Sequence, residues 1–505
     1  MIAPELHWGA VGPTLLVAAG AMLVLMLEVF LAPRESFVGR PLTRSWLGSA
    51  LALVTSVVLG LAVLASWQSF LAGSSEVFNA ANPLVRLDRF ANFVIALVAF
   101  ASLLTCLLSV GYLSELRIQH GEYYALILIA VAGMTLLVSA VDMVMVFLGL
   151  EIMSIPIYVL AGFDRRRLRS NESSLKYFLV GSFASALLLY GMALLYGATG
   201  HTDFEGIRAG WDGGSLGLVG LGLVVVGFAF KISSVPFHQW TPDVYEGAPT
   251  TVTAWMSVTV KVAAFAALLR VMAGAFPPAT ETGLAPLLWV LAAATMVVGN
   301  VMAVIQDNLK RLLAYSSIAH AGYLLIGLVT ATPDAHAAML FYLLAYVFTN
   351  LGAFAVLIAL ANKGQDTDRI EQFAGLASRR PGLAALMTLF MLSLAGIPGT
   401  VGFMAKFYLF LAAVRGGEVV LTVVAVLTSV VSVFYYLRLP VVMYMRDPSE
   451  AEVRRDLSSG EATVLGICAI AVVLLGIFPN QPPDVLHLSW IRALDWTRES
   501  VALLQ

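Results

Sequence analysis

Cysteine is nearly absent: the 505 residues hold two, Cys106 and Cys468, in separate apolar runs, with no Cys-x-x-Cys or Cys/His spacing anywhere. The usual cysteine-based zinc and iron–sulfur frameworks are thereby excluded. Charge is scarce as well. Asp, Glu, Lys and Arg make up 12% of the chain and hydrophobic residues 60%, far from the roughly half-apolar, quarter-charged balance of soluble domains. With a formal charge of −2 there is no concentrated basic face, so nucleic acid is not a partner. A Gly-x-Gly-x-x-Gly fingerprint after a strand, a Walker loop and an HExxH pair are all missing, so the chain itself has no nicotinamide, ATP or zinc-protease chemistry. No low-complexity linker or soluble insertion interrupts it.

What remains is long apolar runs. A hydrocarbon core about 30 Å thick takes roughly 20 apolar residues per helix. Fourteen runs fit, over residues 11–32, 46–66, 90–112, 122–140, 142–163, 173–198, 216–236, 249–272, 284–305, 311–330, 336–361, 382–414, 419–445 and 461–479. No Lys or Arg precedes the first run and no small-residue cleavage site follows it, so it reads as a span and not a signal peptide. Seventeen Lys and Arg fall in one set of alternating loops, including Arg34, Arg40, Arg44, Arg165, Lys310, Arg311, Lys363, Arg454 and Arg455. Seven fall in the other, including Arg86 and Arg270. This bias places both termini outside the cytoplasm and supports an even number of spans, since dropping one helix would scramble the alternation.

Two spans carry matching interruptions. The seventh breaks near Pro236 in Lys231-Ile-Ser-Ser-Val-Pro236, and the twelfth breaks at Gly396-Ile-Pro398-Gly399 with Lys406 beyond. If spans 4–8 and 9–13 are two units of five, the odd number turns the second upside down, and each has its broken helix fourth. That is the pattern of transporters built from inverted repeats, whose discontinuous helices mark the ion path. The expected architecture is therefore an all-α polytopic membrane protein of about fourteen helices, with helices 7 and 12 discontinuous. Its parts are a three-helix segment at 1–121, a first five-helix repeat at 122–272, a second, inverted repeat at 273–445, and a last helix and tail at 446–505.

Only six lysines occur, and Lys176, Lys231, Lys261 and Lys406 fall inside apolar runs, whereas arginine does so only at Arg438, near a span end where it can snorkel. The asymmetry is chemical: a lysine taken out of water can give up its proton, while arginine keeps its charge. Glu151 lies mid-span as well. At roughly 2.5–3.5 kcal/mol per central charge, one Glu and four Lys cost on the order of 15 kcal/mol before pairing or hydration. A carboxylate and a lysine that pair and part would offset some of this cost and change the lysine's hold on its proton. His320, among hydroxyls in Ser316-Ser317-Ile-Ala-His320-Ala-Gly-Tyr323, suits a shuttle between such lysines. The competing reading is that buried polar groups are glue between helices, and it applies with most force to Lys176, about a turn inside its boundary. Glu28, Asp142 and Asp307 sit near span ends and are expected to be solvated. His238, Asp243 and Glu246 are expected in the loop after the seventh span, closing a proton entry or shaping the turn.

The string Phe230-Lys231-Ile-Ser-Ser-Val-Pro236-Phe-His238-Gln-Trp240-Thr-Pro242-Asp243-Val-Tyr245-Glu246-Gly-Ala-Pro249-Thr250 closely resembles the signature of the antiporter-like membrane subunits of proton-pumping NADH:quinone oxidoreductase, respiratory complex I. Leu150-Glu151 with Pro156, Lys310-Arg311 through His320, and Ala395 through Lys406 agree, so the resemblance spans essentially the whole chain. Lysine in the twelfth span and a short tail after Pro479 single out one of the three paralogues. The first three spans, absent from animal mitochondrial versions, point to a bacterial inner membrane. The resemblance implies a proton relay in which Glu151 and Lys231 form a switching pair, Lys261 is the central group, His320 links the halves and Lys406 exchanges with the periplasmic side, Lys176 being a further candidate. It also implies that the chain holds no cofactor, that NADH, flavin, iron–sulfur clusters and quinone belong to other subunits, and that its partners are the other complex I membrane subunits, including paralogous antiporter-like ones, and lipids. A subunit of a sodium/proton antiporter or membrane-bound hydrogenase, and a structural spacer with inert buried charges, are the alternatives.

Overall fold

The computed structural model describes residues 6–31, 45–361, 368–448, 456–480 and 492–502. Arg34, Arg40, Arg44, Lys363, Arg454 and Arg455, which contribute to the charge bias, lie outside the described residues. Helices run through the described chain in the order α1 (Gly12–Leu31), α2 (Ser45–Ala72), α3 (Arg89–Leu116), α4 (Gly121–Ser139), α5 (Met143–Ala161), α6 (Leu168–Thr199), α7 (Phe204–Gly210), α8 (Ser215–Lys231), α9 (Trp240–Gly247) and α10 (Thr250–Ala275). They continue with α11 (Ala279–Thr282), α12 (Ala285–Val304), α13 (Leu309–Thr330), α14 (Pro333–Leu360), α15 (Leu376–Arg379), α16 (Pro381–Ala395), α17 (Val401–Arg415), α18 (Val419–Met445), α19 (Ser459–Ile477) and α20 (Ala493–Val501). A two-residue antiparallel pair, Glu76–Val77 with Arg86–Leu87, is the only sheet among the described residues. Among the described residues, twelve helices are long and apolar enough to cross a membrane, and α8 and α16 are shorter apolar helices.

Two compact units emerge: residues 1–225 with 247–275, and residues 226–246 with 276–505. In the first, α10 is buried along its whole apolar window, while α1 and α6 present Leu, Val and Phe outward. In the second, α13 and α14 hold the centre and α18 and α19 the outside. Such outward apolar faces are what a lipid environment or a neighbouring membrane subunit demands.

Because lipid is as apolar as leucine, helices in a membrane associate where small residues let backbones approach. Each unit does this with a reciprocal pair of glycines. A Cβ on Gly133 of α4 would meet Met153 N of α5 at 2.2 Å, and one on Gly149 of α5 would meet Leu137 N of α4 at 2.6 Å. A Cβ on Gly299 of α12 would meet Ala319 N of α13 at 2.6 Å, and one on Gly322 of α13 would meet Met296 N of α12 at 2.6 Å.

The starts of α5 and α13 are built alike as well. Asp142 caps α5 by accepting from Val144 N at 2.7 Å, and the flanking backbone pairs with the chain beyond α6 through Met143 N to Thr202 O at 2.9 Å and Phe204 N to Val141 O at 3.0 Å. Asn308 caps α13 by accepting from Arg311 N at 3.1 Å, with Leu309 N to Asp368 O at 2.6 Å and Ile370 N to Asp307 O at 3.0 Å beyond α14. Asp142 is therefore buried, not solvated as its place near a span end suggested: it satisfies orphan amides at a helix N-terminus, and Thr202 Oγ1 donates to it at 2.7 Å.

Candidate functional site

The ends of α8 and α16 have identifiable causes. After α8 ends at Lys231, Ser233 takes a left-handed φ of 63°, Pro236 follows in the turn, and Pro242 lies in the first turn of α9. After α16, Gly396 takes φ of 85°, Ile397 N reaches back to Leu392 O at 3.0 Å, and Pro398 follows, which is a Schellman ending. The carbonyls of the last turn of α16 then lack helical partners.

Lys406 of α17 takes them. Its Nζ donates to Leu394 O at 3.1 Å, Ala395 O at 2.9 Å and Ser429 Oγ at 2.9 Å, and lies 5.2 Å from the centre of the Tyr323 ring. Gly396 makes room, since a Cβ there would lie 2.9 Å from Lys406 Cδ and 3.3 Å from its Nζ. Among the described residues no carboxylate stands within salt-bridge distance of this ammonium. An apolar cavity of about 470 Å³ lined by Phe403, Phe407, Phe410 and Val426 opens beside it.

His320, in α13, sits between two phenols: Nδ1 is 2.6 Å from Tyr342 Oη and Nε2 is 3.1 Å from Tyr436 Oη, which also bonds Ser316 Oγ. Of the groups near His320, Tyr323 falls in the string read around it, whereas Tyr342, Tyr435, Tyr436 and Asn300 attracted no notice in the sequence. A tyrosine inside a span passes for an apolar residue, and its partners stand up to 135 residues away. An amide in mid-span, as at Asn300, was the one legible signal.

Lys231, Lys261, His320 and Lys406 are all buried, at 3, 2, 4 and 5% exposure. Lys261 lies in α10, which is buried along its whole apolar window. Glu151 is half-buried in α5 and accepts a short hydrogen bond from Ser185 Oγ of α6. Lys176 differs from the other lysines: partly exposed on α6, it forms an i,i+4 ion pair with Glu172 at 2.7 Å. Glu151, Lys176 and Lys261 belong to the first unit and Lys231, His320 and Lys406 to the second.

Residues assigned to loops from the sequence are more ordered than that. Asp243 and Glu246 lie on α9, where both hold Arg311 Nη1, at 2.7 and 3.0 Å. Lys310 is fully buried in the first turn of α13, not in a loop. Arg270, counted with the loops, is 3% exposed in α10 and meets Asp88 at 2.7 Å. Hydropathy misplaces it because its charge is neutralised inside the bundle.

The helices and these groups define a polytopic helical membrane protein with protonatable side chains inside its bundle. The family model "NADH:quinone oxidoreductase/Mrp antiporter, TM" matches residues 140–432. NADH-quinone oxidoreductase subunit N of Trichlorobacter lovleyi is 43% identical over 474 residues, covering 93% of this chain and 94% of that protein. Subunit N 1 of Sorangium cellulosum is 45% identical over 490 residues, covering 93% and 96%. Among solved structures, a chain of respiratory complex I from Thermus thermophilus with bound aureothin superposes with a TM-score of 0.78 at 35% identity over 92% of this chain and 97% of that one. A chain of the Mrp complex from Dietzia sp. has the same fold, with a TM-score of 0.81 at 23% identity over 97% of each chain. The chain belongs to the NADH-quinone oxidoreductase subunit N family, the paralogue to which the lysine of the twelfth span and the short tail pointed.

Proposed function

We propose that this chain is a proton-translocating membrane subunit of a NADH:quinone oxidoreductase, driven by quinone reduction in other subunits of the complex. The observation that carries this reading is the coordination of Lys406. Its ammonium is held in a helix break by two carbonyls and a hydroxyl, all neutral, so it can lose a proton without leaving a buried carboxylate unpaired. Family membership supplies the setting, and NADH, flavin, iron–sulfur clusters and quinone are placed in the partner subunits.

In the relay, Glu151 and Lys231 are the switching pair, Lys261 the central group, His320 the link and Lys406 the group exchanging with the periplasmic side, with Lys176 a further and weaker candidate because it is partly exposed and paired with Glu172. When a carboxylate approaches a lysine it favours the charged form, and when it leaves it releases that hold. Alternation of the pair would thus drive a proton toward the next group.

The reading of the architecture goes with this function: fourteen spans, with α8/α9 and α16/α17 as discontinuous seventh and twelfth helices, and inverted five-helix repeats at 122–272 and 273–445 between a three-helix segment at 1–121 and a C-terminal part at 446–505. Its support is the matched construction of the two units, namely the reciprocal glycines of α4/α5 and α12/α13 and the twin capped bridges at Asp142 and Asn308. Five spans separate the two bridges, which reverses their direction across the membrane. Both termini then lie on the periplasmic side of a bacterial inner membrane, as the charge bias suggests.

Lys231→Ala in the intact complex tests the relay. Assembly with strongly reduced proton pumping and coupled NADH:quinone turnover is expected. Unchanged pumping would sink the relay and leave the buried lysines as structural glue. A sodium-dependent, redox-independent exchange activity would instead favour an antiporter subunit.

A further inference from the structure

The turn that presents carbonyls to Lys406 is fastened from outside. Helix α17 starts without a side-chain cap of its own: Thr400, at the N-cap position, turns its hydroxyl back to Ile397 O at 2.7 Å. The first amides of a helix are orphans, and inside a membrane protein each must find an acceptor in the protein. Gly402 N finds Ser393 Oγ at 3.2 Å, in the last turn of α16. The two residues stand so close that a Cβ on Gly402 would lie 1.8 Å from Ser393 O.

Ser393 Oγ is held in turn by Thr349 of α14, whose Oγ1 is 3.1 Å away. Counting hydrogens gives the direction of this bond. A hydroxyl has one hydrogen to donate. Thr349 spends its own on Ala345 O at 2.9 Å, so Ser393 is the donor to Thr349 and keeps its lone pairs for Gly402 N. Both side chains are buried.

What this pair fixes lies beside it. Ser393 precedes Leu394 and Ala395, whose carbonyls hold Lys406 Nζ, and Gly402 stands about one turn before Lys406. Thr349 lies about two turns beyond Tyr342, so the face of α14 that receives Ser393 also carries the phenol bonded to His320 Nδ1. The turn after α8 is fastened in the same manner. Ser234 Oγ is 2.9 Å from Thr295 Oγ1 of α12, Val235 N donates to that oxygen at 3.0 Å, and Thr295 spends its hydrogen on Leu291 O.

We propose that Ser393 and Thr349 are a positioning pair for proton transfer at Lys406. They hold the turn between α16 and α17 in the shape that aims the Leu394 and Ala395 carbonyls at the ammonium, and they register that cage on the helix bearing the His320 partner Tyr342. The inference rests on the relay reading above. Without the pair Gly402 N is orphaned and the last carbonyls of α16 are free to turn, so groups that distinguish the charged from the neutral lysine leave their places.

The test uses the intact complex in proteoliposomes. Ser393→Ala and Thr349→Val each remove one hydroxyl, and Thr349→Ser keeps it. Both variants lacking the hydroxyl are expected to assemble and to pump several-fold more slowly. The pH at which proton pumping is half-maximal is expected to move by about half a unit to one unit, the worth of one hydrogen bond. Thr349→Ser should keep the parent rate and pH profile. Ser393→Ala with Thr349→Val should be no worse than Ser393→Ala alone, because the two hydroxyls act as one device. If Ser393→Ala fails to assemble, Thr349→Val carries the same reading.

An assembled Ser393→Ala or Thr349→Val with the parent rate and profile overturns the proposal. So does slower pumping with an unmoved profile, which would make the pair a purely structural staple, or a Thr349→Ser as impaired as Thr349→Val. The two ideas fail separately: normal pumping by Lys406→Ala would remove the relay, whereas a defect there beside a parental Ser393→Ala would remove only the positioning pair.

Discussion

Arg270 in the first unit meets Asp88 at 2.7 and 3.1 Å and fills its other donors with Val138 O at 3.2 Å and Arg86 O at 3.3 Å. Lys406 in the second is as deeply buried and meets two carbonyls and a serine. Arginine never gives up its proton, so its charge is matched by a full opposite charge whose geometry also ties the start of α3 to the ends of α4 and α10. Lysine can do so, and neutral oxygens serve its ammonium without demanding that it stay. The pair teaches that equal burial can go with opposite surroundings: a full counter-charge for Arg270 and neutral oxygens for Lys406, the setting the proposed relay needs.

The comparison breaks most readily at the clamp. Asp88→Ala strands a buried guanidinium and is expected to cost about 3–5 kcal/mol, read as loss of assembled complex or a large fall in melting temperature. Replacing both partners by Leu and Met should restore most of it, and full stability of Asp88→Ala alone would remove the clamp. Next comes Lys406→Ala: the protein assembles, but pumping falls roughly tenfold or more, equivalent to about 1.4 kcal/mol or more on the limiting transfer. A normal proton-to-electron ratio in that variant would erase the distinction drawn here. Gly396→Ala is intermediate. Its left-handed backbone costs an L-residue about 1–2 kcal/mol and the methyl presses on Lys406, so a partial pumping defect with modestly lower stability is expected. Lys176→Gln should change least, because an exposed i,i+4 pair is worth about 0.3–0.5 kcal/mol; abolished pumping there would show that a surface lysine belongs to the relay after all.

What could be read before folding follows from how local each signal is. The ends of α8 and α16 were legible because proline and glycine act on their own backbone. Lys231, Lys261, His320 and Lys406 stood out because a titratable group costs the same in any apolar run. Arg270 and Asp88 were not legible as a pair, being 182 residues apart and each near a span end. Lys310 was hidden by its neighbour Arg311, since two adjacent cations look like a cytoplasmic loop whichever way each points. The phenols around His320 were missed because tyrosine is at home in lipid-facing runs, and only the packing of α12, α13, α14 and α18 turns those hydroxyls toward one another.

The break between α16 and α17 has one more consequence. Two backbone carbonyls, a hydroxyl and an aromatic face are the atoms with which membrane proteins strip an alkali cation of its hydration water. Lys406 occupies such a cage on a leash of four methylenes. In the proposed relay it would be a permanently tethered ion, shedding and regaining its charge but never leaving, so that the proton crosses and not its carrier.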